Sequence, residues 1–279
     1  MSLLQQILPA AIVAMAVAAG VCGFALFWGK ERARGAIGPL ALGIAYLVGH
    51  LMIAGWTSFP PADTTNWLPY FALAAAVLGA FFALLPITAW ARVVIFLLVS
   101  TGALRLLLKP KFQYGWSLGE GWAWVACLGG AIVLLAIVLD ALARRPATTV
   151  EMPVFLLIVS AGTSGALMLT GSMLLGQFAA ALAAAVFGCH VFALRKVALG
   201  RGVVPVFSLV VSALLISGYF FAELPAASAV LLAFAPMPAL IYVGRSNKLL
   251  ALGIRAALVS VPVVLALVLA FRSSPALDY

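Results

Sequence analysis

Charge is what this chain has least of, and acid is scarcer than base. Of 279 residues only 8% are charged, with Asp and Glu numbering 7 against 16 for Lys and Arg. A soluble domain carries about 25% charged residues. Here 66% of residues are hydrophobic, and exposing that much apolar surface to water costs about 25 cal/mol per Å². A soluble globular protein is excluded. Cysteine is also sparse. Cys22, Cys127 and Cys189 lie in apolar stretches with neither ligand spacing nor an even count, so they read as buried structural thiols. Histidine occurs twice. There is no Gly-rich phosphate loop, no metal-binding helix motif and no nucleophile elbow. The longest polar connections, Thr57–Asn66, Lys109–Gly121 and Arg144–Met152, are too short to hold a soluble catalytic domain. These absences point away from an enzyme, and the sequence requires no cofactor.

What is present is a series of apolar runs. Runs of about 20 residues match a hydrocarbon core of about 30 Å. Backbone groups in that medium must be satisfied internally, which leaves helices or a closed barrel. A barrel strand alternates polar and apolar residues, whereas stretches such as Ala131 to Val138 are continuously apolar. The expectation is an all-α integral membrane protein of about ten spans, near 7–28, 36–56, 67–88, 91–108, 122–142, 153–171, 173–194, 203–222, 226–243 and 249–271. The weakest break falls at Thr170-Gly171-Ser172, where a nine-span or re-entrant reading is the alternative. The first span lacks a basic flank and a cleavage site, so it reads as a retained helix.

Basic residues orient the chain. With the N-terminus outside, the inner face receives Lys30, Arg32, Arg34, Arg92, Arg144, Arg145, Arg195, Lys196, Arg201, Arg245, Lys248 and Arg255. The outer face receives Arg105, Lys109, Lys111 and Arg272. Positive loops favour the cytoplasmic side. Both termini are therefore expected outside a bacterial inner (cytoplasmic) membrane. The net charge of +9 is mostly this topological signal. It implies attraction to anionic lipid head groups, not to nucleic acid.

The chain also repeats itself. Gly79-Ala80-Phe81-Phe82-Ala83-Leu84-Leu85-Pro86 returns as Gly218-Tyr219-Phe220-Phe221-Ala222-Glu223-Leu224-Pro225, both reading G-x-F-F-A-x-L-P. Each copy follows a P-x-F-x-L, at Pro69–Leu73 and Pro205–Leu209. His50 and His190 stand in nearly the same relation, 140 positions apart, as do Pro86 and Pro225, 139 apart. Five spans per half is an odd number, so duplication would give inverted halves, 1–145 and 146–279, around a central site. Ten helices in two inverted five-helix halves, at this length, resemble the drug/metabolite transporter superfamily. The resemblance is one of architecture, without a diagnostic motif, and carries over no residue roles. The outside termini expected here depart from the inside termini usual in that superfamily.

Polar groups within spans are costly and therefore informative. His50 is expected in the outer half and His190 in the inner half, at equivalent depths under the repeat. Each imidazole can bond a neighbouring helix carbonyl, line a substrate or proton path, or ligate haem or a pigment. Arg105 either snorkels outward to pair with Glu120 or a head group, or binds anions at the outer mouth. Glu223, beside Tyr219, is either an interfacial acid or a coupling carboxylate. Gln177 can hydrogen-bond across helices, and Asp140 can meet Arg144 one turn on. Ser160, Thr163, Ser164 and Thr170, with Gly162 and Gly165, suit either close packing or an unwound segment. Pro236 and Pro238 kink or break the ninth span. The aromatic stretch Phe112–Trp124 forms an outer belt or a lid. The preferred expectation is a transporter of a small neutral or weakly charged solute by alternating access, with His50, His190, Glu223, Arg105, Gln177 and Tyr219 as pathway residues. A non-catalytic subunit contacting other membrane proteins and a haem- or pigment-binding electron carrier are the alternatives.

Overall fold

In hydrocarbon a helix satisfies its own backbone, and this chain is built almost wholly of helices. The computed structural model describes all residues except 1–2, 29–30, 57–58, 62, 146–147, 194–199, 242–247 and 274–279, and the side chains of all of these except 3–6, 25–28, 31–34, 148–149, 192–193 and 248. Lys30, Arg195, Lys196 and Arg245, expected on the inner face, lie outside the described residues, as do the side chains of Arg32, Arg34 and Lys248.

The elements are α1 (Leu3–Trp28), α2 (Glu31–Ala54), α3 (Leu68–Leu84), α4 (Ala89–Leu107), α5 (Lys109–Tyr114), α6 (Leu118–Ala143), α7 (Thr148–Leu169), α8 (Met173–Ala193), α9 (Val203–Phe221), α10 (Ala226–Ala233) and α11 (Lys248–Arg272). Short 3₁₀ turns occupy Thr65–Trp67 and Met237–Leu240. No strand occurs among the described residues. Nine of these helices are long and apolar enough to cross a membrane. The protein is an all-α, multi-pass integral membrane protein.

Local chemistry sets the helix ends. Thr88 Oγ1 accepts from the Ala91 amide at 3.4 Å and Ser117 Oγ from the Glu120 amide at 3.3 Å, each satisfying an otherwise unpaired first-turn donor. Helix α7 closes through the expected Thr170-Gly171-Ser172 turn. Gly171 takes φ 88°, its amide donates to Met168 and that of Ser172 to Leu167, both at 3.1 Å. That left-handed closure suits glycine and separates α7 from α8.

The expected ninth span differs from a single helix. Helix α10 stops at Ala233, and a 3₁₀ turn follows at Met237–Leu240. The Pro236 ring opposes the carbonyl four residues back, at Leu232, and both Pro236 and Pro238 lack an amide donor. Arg145 meets the freed backbone, donating to the carbonyls of Ala239, at 2.9 Å, and Leu240. The stretch rich in hydroxyls and glycine in α7, by contrast, is not unwound. Ser160 and Thr163 donate to the carbonyls of Leu156 and Val159, both at 2.8 Å. Ser164 reaches the Gly176 carbonyl on α8, also at 2.8 Å.

Helix α9 is the centre of the bundle. Its residues 203–218 are all buried, against α2, α3, α4, α6, α7, α8 and α10. Its start crosses α3 so closely that a Cβ on Gly79 would sit 2.0 Å from the Gly202 carbonyl oxygen. The pairings α1 with α2 and α4 with α6 have counterparts in α7 with α8 and α10 with α11. Helix α2 packs broadly on α3, whereas α8 touches α9 only slightly.

Candidate functional site

Two cavities flank the seam between α6 and α9, one towards each end. The larger, about 550 Å³, is walled by α4, α6, Phe82 of α3 and the start of α9. The smaller, about 350 Å³, lies between α6, the second half of α9 and α10. On α6 their linings meet at neighbouring residues, Ile132 in the smaller and Val133 in the larger. On α9 they are separated by residues 206–211, all of them buried. Trp124 and Asp140, which line the smaller and larger cavities, stand sixteen residues apart on α6, about 24 Å at 1.5 Å per residue.

The larger cavity carries charge. Asp140 is held by two guanidiniums at once. Arg144, one turn along α6, donates Nε at 2.9 Å and Nη2 at 2.5 Å. Arg201, just before α9, donates Nε to Oδ1 at 2.6 Å and Nη2 to Oδ2 at 3.0 Å. Arg92 also lines the cavity. Its Nε donates to the Ile87 carbonyl at 3.1 Å, and it lies within electrostatic reach of Arg201, Arg144 and Asp140. Three cations thus share one carboxylate, against apolar walls such as Phe96, Val133 and Ile137.

The smaller cavity has few polar groups, those of Trp124, Cys127, Ser212 and Tyr219, and is bordered by an aromatic cluster. The Trp116 and Trp124 rings stack with centroids 6.0 Å apart. Phe220 meets both edge-on, at 5.2 and 5.4 Å, and Tyr219 contacts Phe220 at 4.7 Å. Lys111 Nζ lies 5.9 Å from the Phe220 ring. The aromatic stretch 112–124 therefore folds onto the end of α9. The first motif copy supplies Phe82, its fourth residue, to the larger cavity, and the second supplies Phe220, its third, to the smaller, so the two are not equivalent positions.

Of the six expected pathway residues, Tyr219 lines a cavity. His50 is 1% exposed, stacked on Phe178 of α8 with ring centroids 3.9 Å apart. Among the described residues neither of its nitrogens has a hydrogen-bond partner, and neither does the hydroxyl of Tyr46 one turn before it. His190, with Nδ1 unpartnered, is twelve residues beyond Phe178, about 18 Å along α8. The two histidines are not brought together. Arg105 sits with its guanidinium 4.0 Å from the centroid of the Phe112 ring, a cation–π contact, rather than against Glu120. Glu223 is exposed and takes φ 53° at the end of α9. Gln177 is half-buried and makes no side-chain hydrogen bond among the described residues.

Sequence reasoning did not assemble Arg92, Asp140, Arg144 and Arg201 into one site. It read the arginines as topological signal and saw only the Asp140–Arg144 pair, because that pair is local. It also missed the Glu151–Arg255 ion pair between α7 and α11, 2.8 Å long and buried on both sides. A lone acid inside a span, on the same expected face as many bases, was the available signal for Asp140. No group of three or more His, Cys, Asp or Glu residues that would hold a metal ion occurs among the described residues. Comparison with protein-family models, curated proteins and solved structures finds no match to this chain.

Proposed function

We propose that the protein is a membrane transporter for a small neutral or weakly charged solute, working by alternating access along the α6–α9 seam. The observation that supports this reading is the pair of cavities at opposite ends of one helix pair, separated by the buried residues 206–211 of α9. Two recesses divided by a closed layer are what alternating access along one seam requires. Under the positive-inside expectation the arginine-lined cavity faces the cytoplasm and the aromatic one faces out. The layer of Ile132, Val133 and buried α9 residues between them is the barrier a solute must pass. Apolar walls suit a solute with little charge to desolvate. The broken α10 segment is the element that moves against α6 on the outer side, and α4 is its counterpart on the inner side.

The reading is tested in proteoliposomes with a panel of labelled neutral and singly charged metabolites. Cys127 lines the aromatic cavity and is exposed, whereas Cys22 and Cys189 are buried. Saturable uptake of at least one panel member is expected. It should be blocked by a thiol reagent at Cys127 and lost in Ala131→Trp, which fills the same cavity. Uptake no faster than in protein-free liposomes across the panel, or indifferent to both interventions, would overturn transport along this seam.

A further inference from the structure

We infer that the arginine-lined cavity is a binding site for an anionic amphiphile, a ligand with one phosphate or carboxylate head and an apolar tail. This stands apart from the transport reading, since the site binds whether or not its ligand crosses.

The charged end contains three guanidiniums and one carboxylate. Asp140 compensates only one of them, although it bonds to two. Arg92 donates its Nε to the Ile87 carbonyl and its guanidinium faces the Phe82 ring at 5.7 Å, while its Nη groups make no hydrogen bond among the described residues. The site therefore has a surplus of two positive charges, with donors to spare. Guanidinium forks match phosphate and carboxylate oxygens in pairs, which favours an oxyanion over a halide. Repulsion among the three cations, strengthened beside apolar walls, is relieved when such an oxyanion arrives.

The cavity is too large for a bare ion. A volume of about 550 Å³ lies within the roughly 300–1,000 Å³ of sites that enclose whole organic ligands. Apart from the Trp90 indole N–H, the side chains of its remaining lining, including Phe96, Val133, Ala136 and Ile137, offer nothing to hydrogen-bond. Head and tail requirements thus come from adjoining parts of one cavity. Two sources supply that chemistry, an anionic phospholipid of the surrounding leaflet and a water-soluble amphiphile.

The test uses full-length protein in phosphatidylcholine nanodiscs and radiolabelled dodecyl phosphate as the probe. Saturable binding is expected, with dodecanol and inorganic phosphate each competing at least about tenfold more weakly, a difference of about 1.4 kcal/mol. Arg92→Gln should weaken binding by about tenfold, the loss of one charge-assisted contact. Asp140→Asn should tighten it by several fold, because the third cation is then uncompensated. Should Asp140→Asn fail to fold, Ile137→Trp fills the tail region without altering charge and should abolish binding. Competition by phosphatidylglycerol doped into the nanodisc identifies a lipid source. Its absence, with dodecyl phosphate still bound, identifies a soluble one. Equal competition by dodecanol, or binding unchanged in both Arg92→Gln and Ile137→Trp, would overturn the site.

Discussion

Glu151 and Arg255 are joined at 2.8 Å with 7% and 8% of their side chains exposed. Each ion lost its hydration on burial, and mutual contact offsets that loss only while both are present. Arg255→Met alone should therefore cost about 3–5 kcal/mol, whereas Glu151→Leu with Arg255→Met should recover most of it. Reversible denaturation in mixed micelles reads the difference. A double variant as unstable as the single one would show that the charges do more than neutralise each other. His50 has the opposite balance. Its two nitrogens are buried without partners, a burden of about 1–3 kcal/mol. His50→Leu should raise stability by about that order, measured the same way, with uptake retained because His50 lines neither cavity. Loss of uptake from a stably folded His50→Leu would return the histidine to the pathway. The sequence announced both histidines as rare polar groups within spans. It could not announce the Glu151–Arg255 pair, whose members are 104 positions apart and leave no local pattern.

Helix number and extent follow from run length, because a stretch of apolar residues spanning the hydrocarbon has only one way to satisfy its backbone. The departure, at residues 226–243, has an equally local cause. Composition made that stretch look like a span, but Pro236 and Pro238 prevent its completion. What run length does not encode is which helices touch. The α3–α9 crossing depends on the absence of a side chain at Gly79, where a Cβ would lie 2.0 Å from the Gly202 carbonyl oxygen. Gly79→Ala should part these helices and cost about 1–3 kcal/mol. Gly102, exposed on α4 with nothing within 4 Å of its Cβ position, is the comparison. Gly102→Ala should gain about 0.5–1 kcal/mol by easing the entropic penalty of a mid-helix glycine. Thermal unfolding of the two variants should move in opposite directions, and a shared direction would remove the crossing from the account.

Across the whole molecule, charge separates along the bundle. Arg92, Asp140, Arg144 and Arg201 gather at one end of the α6–α9 seam, while Arg105, Lys111, Trp116 and Trp124 gather at the other. Sequence counting anticipated that division, since positive loops alternate with aromatic ones. It did not anticipate that the charged end encloses a cavity, because Asp140 and Arg201 meet across 61 positions. Membrane-impermeant thiol reagents should label Cys127 from the outer side of oriented vesicles, and Ala141→Cys from the inner side. The reverse result would invert the orientation. The enclosure of α9 bears on biogenesis. Seven membrane-crossing helices precede it in the chain, and six of those, α2, α3, α4, α6, α7 and α8, are among its neighbours. While the nascent chain is still short of residue 203, lipid or an insertase must fill the gap they leave. Because α9 walls both cavities, neither exists until it enters, so a prematurely released chain carries an open cleft in their place.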